Sequence, residues 1–539
     1  MSSTTPPTSA HTASITASGL TFAWPDGDVV FDNLSLVVPP GRSGLVGSNG
    51  TGKSTLLKLI GGALRPSAGS ITTAGEVGYL PQDLALRAAQ PVTEFLGIGP
   101  VLAAIAAVTS GDASPEHFDT IGDAWDIEER AEAQLARLGL PAGVLHRRLG
   151  ELSGGETVQL GLTRLFLQGP DVLLLDEPTN NLDRVARQRL YETVAAFRGA
   201  LLVVSHDRDL LERVDQIGDL RDGSVTWYGG GFTAYREQVE VEQEAAAQAV
   251  RTAKADVRKQ QRELVETQTK LDRRKRYGKK MQQQGRVPPI VAGNLKRAAQ
   301  VSAARLTDQH TGDVARARER LDRAESRLRE DAEIRVDLPG SRVPAGRDVL
   351  VLTDLVLRHG RTVDLHLRGP ERVALTGPNG SGKTTLLHTI TGDIPPRSGT
   401  VDLRVPSRLL PQRLDVLDDE LSLVANLARF APQAETNALR AALARFRIRG
   451  GDAERTVSTL SGGERFRATL AALLLAEPTP QLLVLDEPTN NLDLLSVEQL
   501  VSALSQYRGA LLVASHDERF LAEIGITRTF DLGQETGDV

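Results

Sequence analysis

Residues 47–55 read GSNGTGKST, and the pattern returns at residues 377–385 as GPNGSGKTT. Each stretch follows a short apolar run and precedes a segment whose apolar residues have helical spacing. This order is typical of a buried strand that leads through a glycine-rich loop into a helix. The glycines allow backbone N–H groups to point at phosphate oxygens at the start of that helix. The sequence therefore predicts two phosphate-binding loops in one chain.

Four further motifs follow each loop in the same order. They are YLPQ (79–82) and LLPQ (409–412), LSGGE (152–156 and 460–464), LLLDEPTNNLD (173–183) and LVLDEPTNNLD (483–493), and LLVVSHDRDLL (201–211) and LLVASHDERFL (511–521). Lys53 and Lys383 are 330 residues apart, but the two LSGGE motifs are only 308 apart, so the first copy has 22 extra residues before its LSGGE. Because apolar strands alternate with helical segments, we predict a duplicated α/β domain with a mostly parallel sheet in each copy.

The two loops contribute most of the candidate nucleotide ligands. Lys53 and Lys383 are expected to reach the β- and γ-phosphates, and Ser54 and Thr384 are expected to bind Mg²⁺. The full loop sets are Gly47, Asn49, Gly50, Gly52, Lys53, Ser54 and Thr55 in the first copy, and Gly377, Asn379, Gly380, Gly382, Lys383, Thr384 and Thr385 in the second.

Polar residues that follow the apolar strands supply the remaining candidates. Asp176 and Asp486 end strands, which is the usual position of a carboxylate that holds the metal directly or through water. The candidates for polarising the attacking water are Glu177 and Glu487, those for reaching the γ-phosphate are His206 and His516, and those for coupling metal or water to the rest of the domain are Gln82 and Gln412. A single motif of this kind often marks only a turn or a solvated strand end, but five in the same order, twice, predict two nucleotide sites.

Composition excludes several classes of protein. The chain has 539 residues, a formal net charge of −6 and no cysteine, so disulfides, thiolate zinc sites and iron–sulfur clusters are excluded. No apolar stretch is long enough to predict a membrane span. Residues 1–13 are polar, without the pattern of a secretion signal, and are predicted to be a disordered tail. These features favour a cytoplasmic protein.

The segment between the two copies has a different pattern. Val250, Val257, Leu264 and Leu271 are seven residues apart, and so are Val314, Leu321 and Leu328, within otherwise charged sequence. This spacing predicts two helices that pack as an antiparallel coiled-coil hairpin, the first about 40 residues and roughly 60 Å long. The joining loop is expected within QGRVPPIVAG (284–293), because Gly and Pro end helices.

Basic residues are concentrated where this hairpin turns. Between residues 271 and 300 the only acid is Asp272. The cations there are Arg273, Arg274, Lys275, Arg276, Lys279, Lys280, Arg286, Lys296 and Arg297. An ordinary solvated helix has mixed charges, as residues 316–331 do, whereas charges of a single sign favour a polyanionic partner. We expect RNA rather than DNA, because a narrow tip suits an RNA cleft and no DNA-recognition helix is evident.

The combined motifs resemble the ATP-binding cassette superfamily, of which LSGGE is the signature. The resemblance implies that ATP and Mg²⁺ bind between one copy's phosphate loop and the other copy's signature, paired within a single monomeric chain. On this basis Lys53, Ser54, Gln82, Asp176, Glu177 and His206 face Ser461, Gly462 and Gly463, whereas Lys383, Thr384, Gln412, Asp486, Glu487 and His516 face Ser153, Gly154 and Gly155. The superfamily also stacks an aromatic side chain on adenine. Trp24 is our candidate and Phe22 the alternative, and the second copy offers only His359.

Paired cassettes, a charged helical linker and no membrane domain resemble the ABC-F family, whose members are translation factors or antibiotic-resistance proteins. The resemblance implies binding at the ribosomal tRNA exit site, with the linker near the P-site tRNA and the peptidyl-transferase centre. The predicted division is 14–235 for the first cassette, 236–346 for the linker and 347–539 for the second cassette. An acidic insertion at about 98–125 lies where the family has a ribosome-contacting arm; it is either a protein contact or a solvent loop.

Two other classes of ATPase remain as alternatives. A cytosolic ATPase subunit of a membrane transporter would also lack a membrane domain, but it has no use for a long basic hairpin. ATPases of DNA repair and chromosome organisation commonly carry zinc modules or much longer coiled coils, which the absence of cysteine and the linker length disfavour. Binding to ribosomes discriminates between the first alternative and the ABC-F interpretation.

Overall fold

The computed structural model describes residues 14–82, 84, 88–180, 182–283, 289–326, 328, 334, 338–448, 450–490 and 492–533. Residues 1–13, predicted to be a disordered tail, therefore lie outside the described residues. Within the described ranges no helix is both long and apolar enough to cross a membrane. The chain divides into two compact units, of which residues 1–232 and 332–539 form the first and residues 233–331 form the second.

The first copy contains nine strands and eight α-helices among its described residues. The strands are β1 (Ile15–Ala23), β2 (Val29–Val38), β3 (Gly41–Val46), β4 (Ala68–Thr73), β5 (Val77–Leu80), β6 (Val172–Asp176), β7 (Ala200–Val204), β8 (Gln216–Arg221) and β9 (Ser224–Gly229). The helices are α1 (Lys53–Ile60), α2 (Val92–Phe95), α3 (Gly99–Thr109), α4 (Pro115–Ile121), α5 (Ile127–Arg137), α6 (Gly154–Gln168), α7 (Arg184–Ala196) and α8 (Arg208–Leu211).

The linker helices are α9 (Phe232–Gln283) and α10 (Pro289–Glu325). In the second copy the strands are β10 (Asp348–Val356), β11 (Thr362–Arg368), β12 (Arg372–Thr376), β13 (Ser398–Leu403), β14 (Ser407–Leu410), β15 (Leu482–Asp486), β16 (Ala510–Ala514) and β17 (Arg528–Asp531). Its helices are α11 (Lys383–Thr391), α12 (Leu423–Phe430), α13 (Thr436–Arg445), α14 (Gly462–Leu474), α15 (Leu494–Gln506) and α16 (Glu518–Glu523).

Each copy contains a mostly parallel sheet and a three-stranded antiparallel sheet. The larger sheets have the orders β5-β6-β7-β3-β8-β9 and β14-β15-β16-β12-β17, and the pairing is parallel except between β8 and β9. The antiparallel sheets are β2-β1-β4 and β11-β10-β13. Strands β6 and β15 are buried along their whole length, because helices cover both faces of a parallel sheet. The predicted α/β fold class is confirmed.

The insertion of the first copy is helical. The predicted span of about 98–125 contains α3 and α4, which pack on each other. Phe118 and Trp125 are exposed, and their ring centroids lie 6.1 Å apart. The span is therefore largely helical, and a contact with another protein remains a prediction.

The linker forms an antiparallel pair of helices, as predicted. Lys254 forms an ion pair with Glu325 (2.9 Å), and Asp256 forms one with Arg320 (2.6 Å), so the two helices run in opposite directions. The predicted apolar seam is buried at Val250, Val257 and Val314, and Ala317 on the second helix is buried as well. Leu328 lies beyond the end of α10, so the seam of the second helix is shorter than its spacing predicts.

Two details of the linker differ from the prediction. Helix α9 has 52 residues, or about 78 Å at 1.5 Å per residue, rather than 40. Helix α10 begins at Pro289, so residues 290–293 are helical rather than part of the joining loop. Proline is well tolerated in the first turn of a helix, where its missing N–H has no partner to lose. Residues 284–288, and with them Arg286, lie outside the described residues.

The end of the linker also differs from the predicted boundary at 346. Ile334 and Leu338 are buried in the core that lies beneath α14 and α15, and Val343 is buried against β10 and β12. The segment that leads into the second copy therefore belongs to the core of that copy. Three apolar residues in a short irregular stretch have no periodicity, so the sequence pattern does not reveal this packing.

Candidate nucleotide sites between the two cassettes

The strand order brings the predicted motifs to one edge of each sheet. Strands β6, β7 and β3 are neighbours, and their carboxyl ends lead to Asp176, to His206 and to the 47–55 loop. Strands β15, β16 and β12 are neighbours in the same way and lead to Asp486, to His516 and to the 377–385 loop. Ligands commonly bind at this edge of an α/β sheet. We call the two clusters site 1 and site 2.

The glycine-rich loop of site 1 depends on a backbone that other residues would not fit. Gly52 has φ 94°, and a Cβ at this position would lie 2.5 Å from Val30 Cγ1. Lys53 then begins α1, and its Nζ donates hydrogen bonds to Gly47 O (2.7 Å) and Ser48 O (3.0 Å). Burial lowers the pKa of Lys53. The lysine is thereby held against the loop, next to the N–H groups at the start of the helix.

Site 2 repeats this loop conformation. Lys383 Nζ donates hydrogen bonds to Gly377 O (2.8 Å) and Pro378 O (3.3 Å), and it also lies 3.0 Å from His516 Nε2. Burial lowers the pKa of Lys383 as well. Two residues far apart in the sequence are thus already in contact at this site.

The residues predicted to hold Mg²⁺ are adjacent in both sites. Ser54 Oγ donates to Asp176 Oδ1 (2.9 Å). In site 2, burial raises the pKa of Asp486, and the neighbouring Thr384 side chain opposes that rise. Asp486 Oδ1 is buried and has no hydrogen-bond partner in the described part of the chain. A hydroxyl beside a buried carboxylate is the oxygen donor set that Mg²⁺ prefers beside phosphates, so the residues fit this ion. The described residues contain no larger cluster of metal-binding side chains.

Glu177 and Glu487 both have an unusual backbone conformation. Their φ angles are 47° and 43°, in the left-handed region that is uncommon for residues other than glycine. Such strain persists only where the surroundings fix it, and it often marks functional sites. Each of these glutamates also contacts the neighbouring histidine. Glu177 Oε2 accepts a hydrogen bond from His206 N (3.3 Å), and Glu487 Oε1 lies 3.5 Å from His516 Nε2.

Burial controls the charge of these pairs. It raises the pKa of Glu177 to about 8 and raises the pKa of Glu487. Burial, together with the nearby lysine, lowers the pKa of His206 to about 3 and that of His516 to about 4. Both histidines are therefore neutral at physiological pH, and each can donate one hydrogen bond from its ring.

A pocket of about 450 Å³ opens onto the loop of site 1. Its lining includes Trp24, Val30, Asn49, Gly50, Gly52, Lys53, Ser54, Thr55, Gln82, Glu177, Asn180, Val204 and His206. Trp24 is 36% exposed, whereas Phe22 is buried beneath it in an edge-to-face contact with ring centroids 5.1 Å apart. Trp24 is thus the aromatic side chain of this pair that faces the pocket. In the second copy, His359 is exposed and Gln412 follows β14.

The second copy contributes directly to site 1. Asn49 N donates a hydrogen bond to Asp493 Oδ2 (2.8 Å), which lies 444 residues further along the chain. A Cβ added to Gly462 would lie 3.7 Å from Asn49 Cβ, so the second LSGGE motif lies beside the first phosphate loop. The structure thereby places Gly462, one of the three signature residues predicted at site 1, beside the first phosphate loop.

Site 2 borders a cleft of about 540 Å³ between the two copies. The first copy lines it with Asp183, Arg184 and Val185, and the second with residues that include Gly377, Pro378 and His516. Ion pairs join the copies nearby, between Arg208 and Glu523 (2.6 Å) and between Arg519 and Asp209 (2.6 Å). We call the segment that ends each DEPTNNLD motif the D-loop. At both sites the D-loop therefore faces the opposite copy.

The glutamate of each LSGGE motif has a local structural role. Ser153 N donates to Glu156 Oε2 (2.8 Å) while Glu156 N donates to Ser153 Oγ (3.3 Å), which is a capping box at the start of α6. Ser461 and Glu464 form the same box at the start of α14. The serines and the glycines that follow them, Gly154, Gly155, Gly462 and Gly463, are thereby held at helix N-termini.

The comparisons with known proteins agree with this architecture. A family model described as ABC transporter matches residues 31–180 and 361–490. The tylosin resistance ATP-binding protein TlrC of Streptomyces fradiae is 33% identical over 551 residues, covering 92% of this chain and 93% of that protein. The chain belongs to the ABC-F family of ATP-binding cassette proteins. The two copies are accordingly its two ATP-binding cassettes.

Other relatives are consistent with this assignment, and a solved structure shares the fold. The probable ATP-binding protein YheS of Escherichia coli is 32% identical over 511 residues, covering 92% of this chain and 75% of that protein. The putative ATP-binding protein YdiF of Bacillus subtilis is 31% identical over 539 residues, covering 94% of this chain and 78% of that protein. An archaeal ribosome recycling factor, solved with a ribosomal stalk protein, shares the fold with a TM-score of 0.52 at 19% identity, covering 95% of this chain and 87% of that one.

Asp493 is a site residue that the sequence interpretation missed. One carboxylate oxygen accepts from Ser496 N (2.8 Å) and caps α15, and the other accepts from Asn49 N of the opposite cassette. Burial alone would raise its pKa, but these hydrogen bonds outweigh burial and lower it. The sequence did contain a signal for this residue, because NNLD ends the DEPTNNLD motif in both copies. An aspartate before a helix already has a sufficient local explanation as an N-cap, so its second bond is not evident.

Replacing Asp493 therefore tests the contact between the cassettes. We expect Asp493→Ala to lose the cap and the cross-cassette bond, lowering the free energy of unfolding by about 2–4 kcal/mol. Asp493→Ser keeps an N-cap but has a single oxygen, so it should lose about half as much. Denaturant unfolding of the three proteins measures this. Equal losses for Ala and Ser would show that the contact with Asn49 does not stabilise the chain.

Proposed function

We propose that this ABC-F protein is a Mg²⁺-dependent ATPase that binds the ribosome and acts on translation through its linker. The main support for ribosome binding is the cluster of positive charges at the end of α9. Arg273, Arg274, Lys275, Arg276 and Lys280 are all exposed within eight residues. The ion pair that the structure describes among them joins Lys275 to Asp272 at 3.9 Å. The structure does not describe the side chains of Lys279, Lys296 and Arg297, and Arg286 lies outside the described residues.

The rest of the linker provides the contrast. Lys254, Lys259, Arg320 and Arg323 each lie within 4.0 Å of a carboxylate on the same hairpin. Carboxylates of the hairpin itself balance these exposed cations, whereas the cations at the end of α9 outnumber the single acid near them. Like charges at this spacing repel, and phosphate groups relieve that repulsion while counterions are released. RNA, rather than an acidic protein, supplies such charge at high density.

The proposed reaction follows from the arrangement of site residues. Backbone N–H groups of each loop, with Lys53 or Lys383, bind the phosphates, and Trp24 stacks on adenine at site 1. Mg²⁺, held by Ser54 and Asp176 or by Thr384 and Asp486, would neutralise phosphate charge. The ionised forms of Glu177 and Glu487 orient the attacking water and accept its proton, and the neutral histidines donate to the γ-phosphate. Gln82 and Gln412 link the site to the rest of the cassette.

Closure of the two cassettes on ATP is the proposed source of regulation. Site 1 already joins the loop of one cassette to the D-loop and signature of the other, so nucleotide bound there contacts both. ATP favours the paired state by binding it better than the open state, and hydrolysis removes that preference. We propose that the ATP-bound form places the linker near P-site tRNA and the peptidyl-transferase centre. The similarity to a protein named for tylosin resistance supports antibiotic resistance as the outcome.

Co-sedimentation with ribosomes tests the proposal against the alternative of a transporter subunit. The purified chain should sediment with ribosomes in ATP or a slowly hydrolysed analogue and much less in ADP. A transporter subunit should stay in the supernatant under both conditions. A susceptibility panel in a host that expresses the gene then separates the two translational roles. Raised resistance to a ribosome-targeting drug supports resistance, and an unchanged panel supports a translation factor.

A further inference from the structure

Arg187 is a residue of the first cassette that reaches into site 2. It lies on α7, directly after the D-loop, and its Nη1 donates a hydrogen bond to the backbone oxygen of His516 (3.4 Å). His516 Nε2 in turn lies 3.0 Å from Lys383 Nζ and 3.5 Å from Glu487 Oε1. A guanidinium from one cassette thus holds the loop that carries the central histidine of the other cassette's site.

The guanidinium is itself fixed by its own cassette. Its Nε lies 3.6 Å from Asp207 Oδ2, and the Tyr191 hydroxyl donates to the same carboxylate oxygen at 2.7 Å. Asp207 Oδ1 accepts from the backbone N–H groups of Asp209 and Leu210 at the start of α8. The side chain of Arg187 is only 15% exposed. An arginine held in this way loses little conformational freedom when it contacts the opposite cassette.

Site 1 has no matching group at this position. The 310-residue offset that relates Asp183 to Asp493 also relates Arg187 to Val497, and Tyr191 to Val501. Val497 is buried in the core of the second cassette. An aliphatic side chain cannot donate a hydrogen bond to the backbone oxygen of His206. The two sites are therefore chemically different at the place where the opposite cassette supports the histidine loop.

We propose that Arg187 is a positioning residue for site 2. Hydrolysis at site 2 then depends on this side chain of the first cassette, whereas hydrolysis at site 1 does not depend on an equivalent side chain of the second cassette. The inference rests on the proposed ATPase function. Arg187 holds the His516 loop so that the histidine, Glu487 and Lys383 keep their mutual distances when the cassettes are paired. Because it acts through the backbone of His516, its loss should affect turnover at site 2 rather than ATP binding.

The test measures each site separately. Glu177→Gln leaves site 2 as the working site, and Glu487→Gln leaves site 1. We expect Arg187→Val, which copies the residue at the equivalent position, to lower kcat roughly tenfold in the first background, with the KM for ATP changed less than twofold. In the second background kcat should stay within twofold of its parent. Arg187→Lys should recover part of the loss.

Arg189 provides a matched control on the same helix. Its Nη1 donates to Gly139 O (3.1 Å) within the first cassette, so Arg189→Val removes an arginine without removing a described contact to the second. It should not affect the two backgrounds differently. Equal losses in both backgrounds for Arg187→Val, or no loss in either, would overturn the inference.

A second measurement covers the case in which a single-Gln background has no steady-state turnover. In the otherwise unaltered chain, rapid mixing with ATP should give a burst of about two ADP per chain, one from each site. Arg187→Val should reduce the fast phase to about one, and an unreduced fast phase contradicts the inference. An unaltered chain that hydrolyses no ATP would contradict the proposed function itself, and the inference with it.

Discussion

Glu177→Gln combined with Glu487→Gln is expected to reduce ATP turnover at least a hundredfold while ATP still binds. Gln matches Glu in shape but cannot accept a proton, and loss of a general base typically costs 10²- to 10⁴-fold. The phosphate loops, Lys53 and Lys383 are unchanged, so the doubly substituted chain should remain in the ATP-bound state. Phosphate release measures the turnover, and nucleotide retained after rapid gel filtration measures the binding.

The same variant should remain on ribosomes in ATP when the unaltered chain has dissociated. This follows because, in the proposed cycle, hydrolysis ends the paired state of the cassettes. The single variants serve as controls and should give intermediate retention. Turnover within tenfold of the unaltered chain would mean that neither glutamate acts as the base. Full loss of turnover without retention on ribosomes would mean that ATP does not control ribosome binding.

Replacing Arg273, Arg274, Lys275 and Arg276 by Ala is expected to weaken ribosome binding about a hundredfold near 0.1 M salt. Each cation that contacts a phosphate contributes about 0.7–0.9 to the slope of log affinity against log salt, so the slope should fall by about 3. A salt titration of ribosome binding in ATP measures both quantities. ATP turnover without ribosomes should not change, because none of these residues belongs to a nucleotide site.

The linker offers a control that removes the same number of charges. Lys254, Lys259, Arg320 and Arg323 are four cations paired with carboxylates on the hairpin, and their replacement by Ala should leave the salt slope within about 1 of its original value. If both sets of substitutions change the slope equally, net charge explains binding and the end of α9 has no special role. If neither set changes it, the linker does not contact RNA.

The sequence predicted what depends on local chemistry. The loop around Gly52 and Lys53 needs a particular backbone and a particular cation, so its residues are evident from the motif alone. The gathering of Asp176 and His206 near that loop follows from parallel strands that end at one edge of a sheet. The burial of Val250 and Val257 follows from seven-residue spacing.

The remaining features depend on contacts between distant segments. Asp493 caps its own helix, so its bond to Asn49 leaves no separate trace in the sequence. Arg187 is visible only as a position where the repeat is broken, and its contact with His516 depends on how the two cassettes pair. Pro289 suggested a loop because proline ends helices, but it also suits their first turn. Local pattern does not distinguish these cases, whereas the packed structure does.

The central claim is that ATP-bound cassettes hold the basic end of α9 against ribosomal RNA or tRNA. A photoreactive amino acid at Tyr277 tests it, with Val241 on the same helix as the control, since the two residues are 66% and 68% exposed. In the double Gln variant with ATP and ribosomes, we predict cross-links from position 277 to large-subunit ribosomal RNA or tRNA, and few from position 241. RNA cross-links that are equal at both positions, or absent from position 277, would contradict the account.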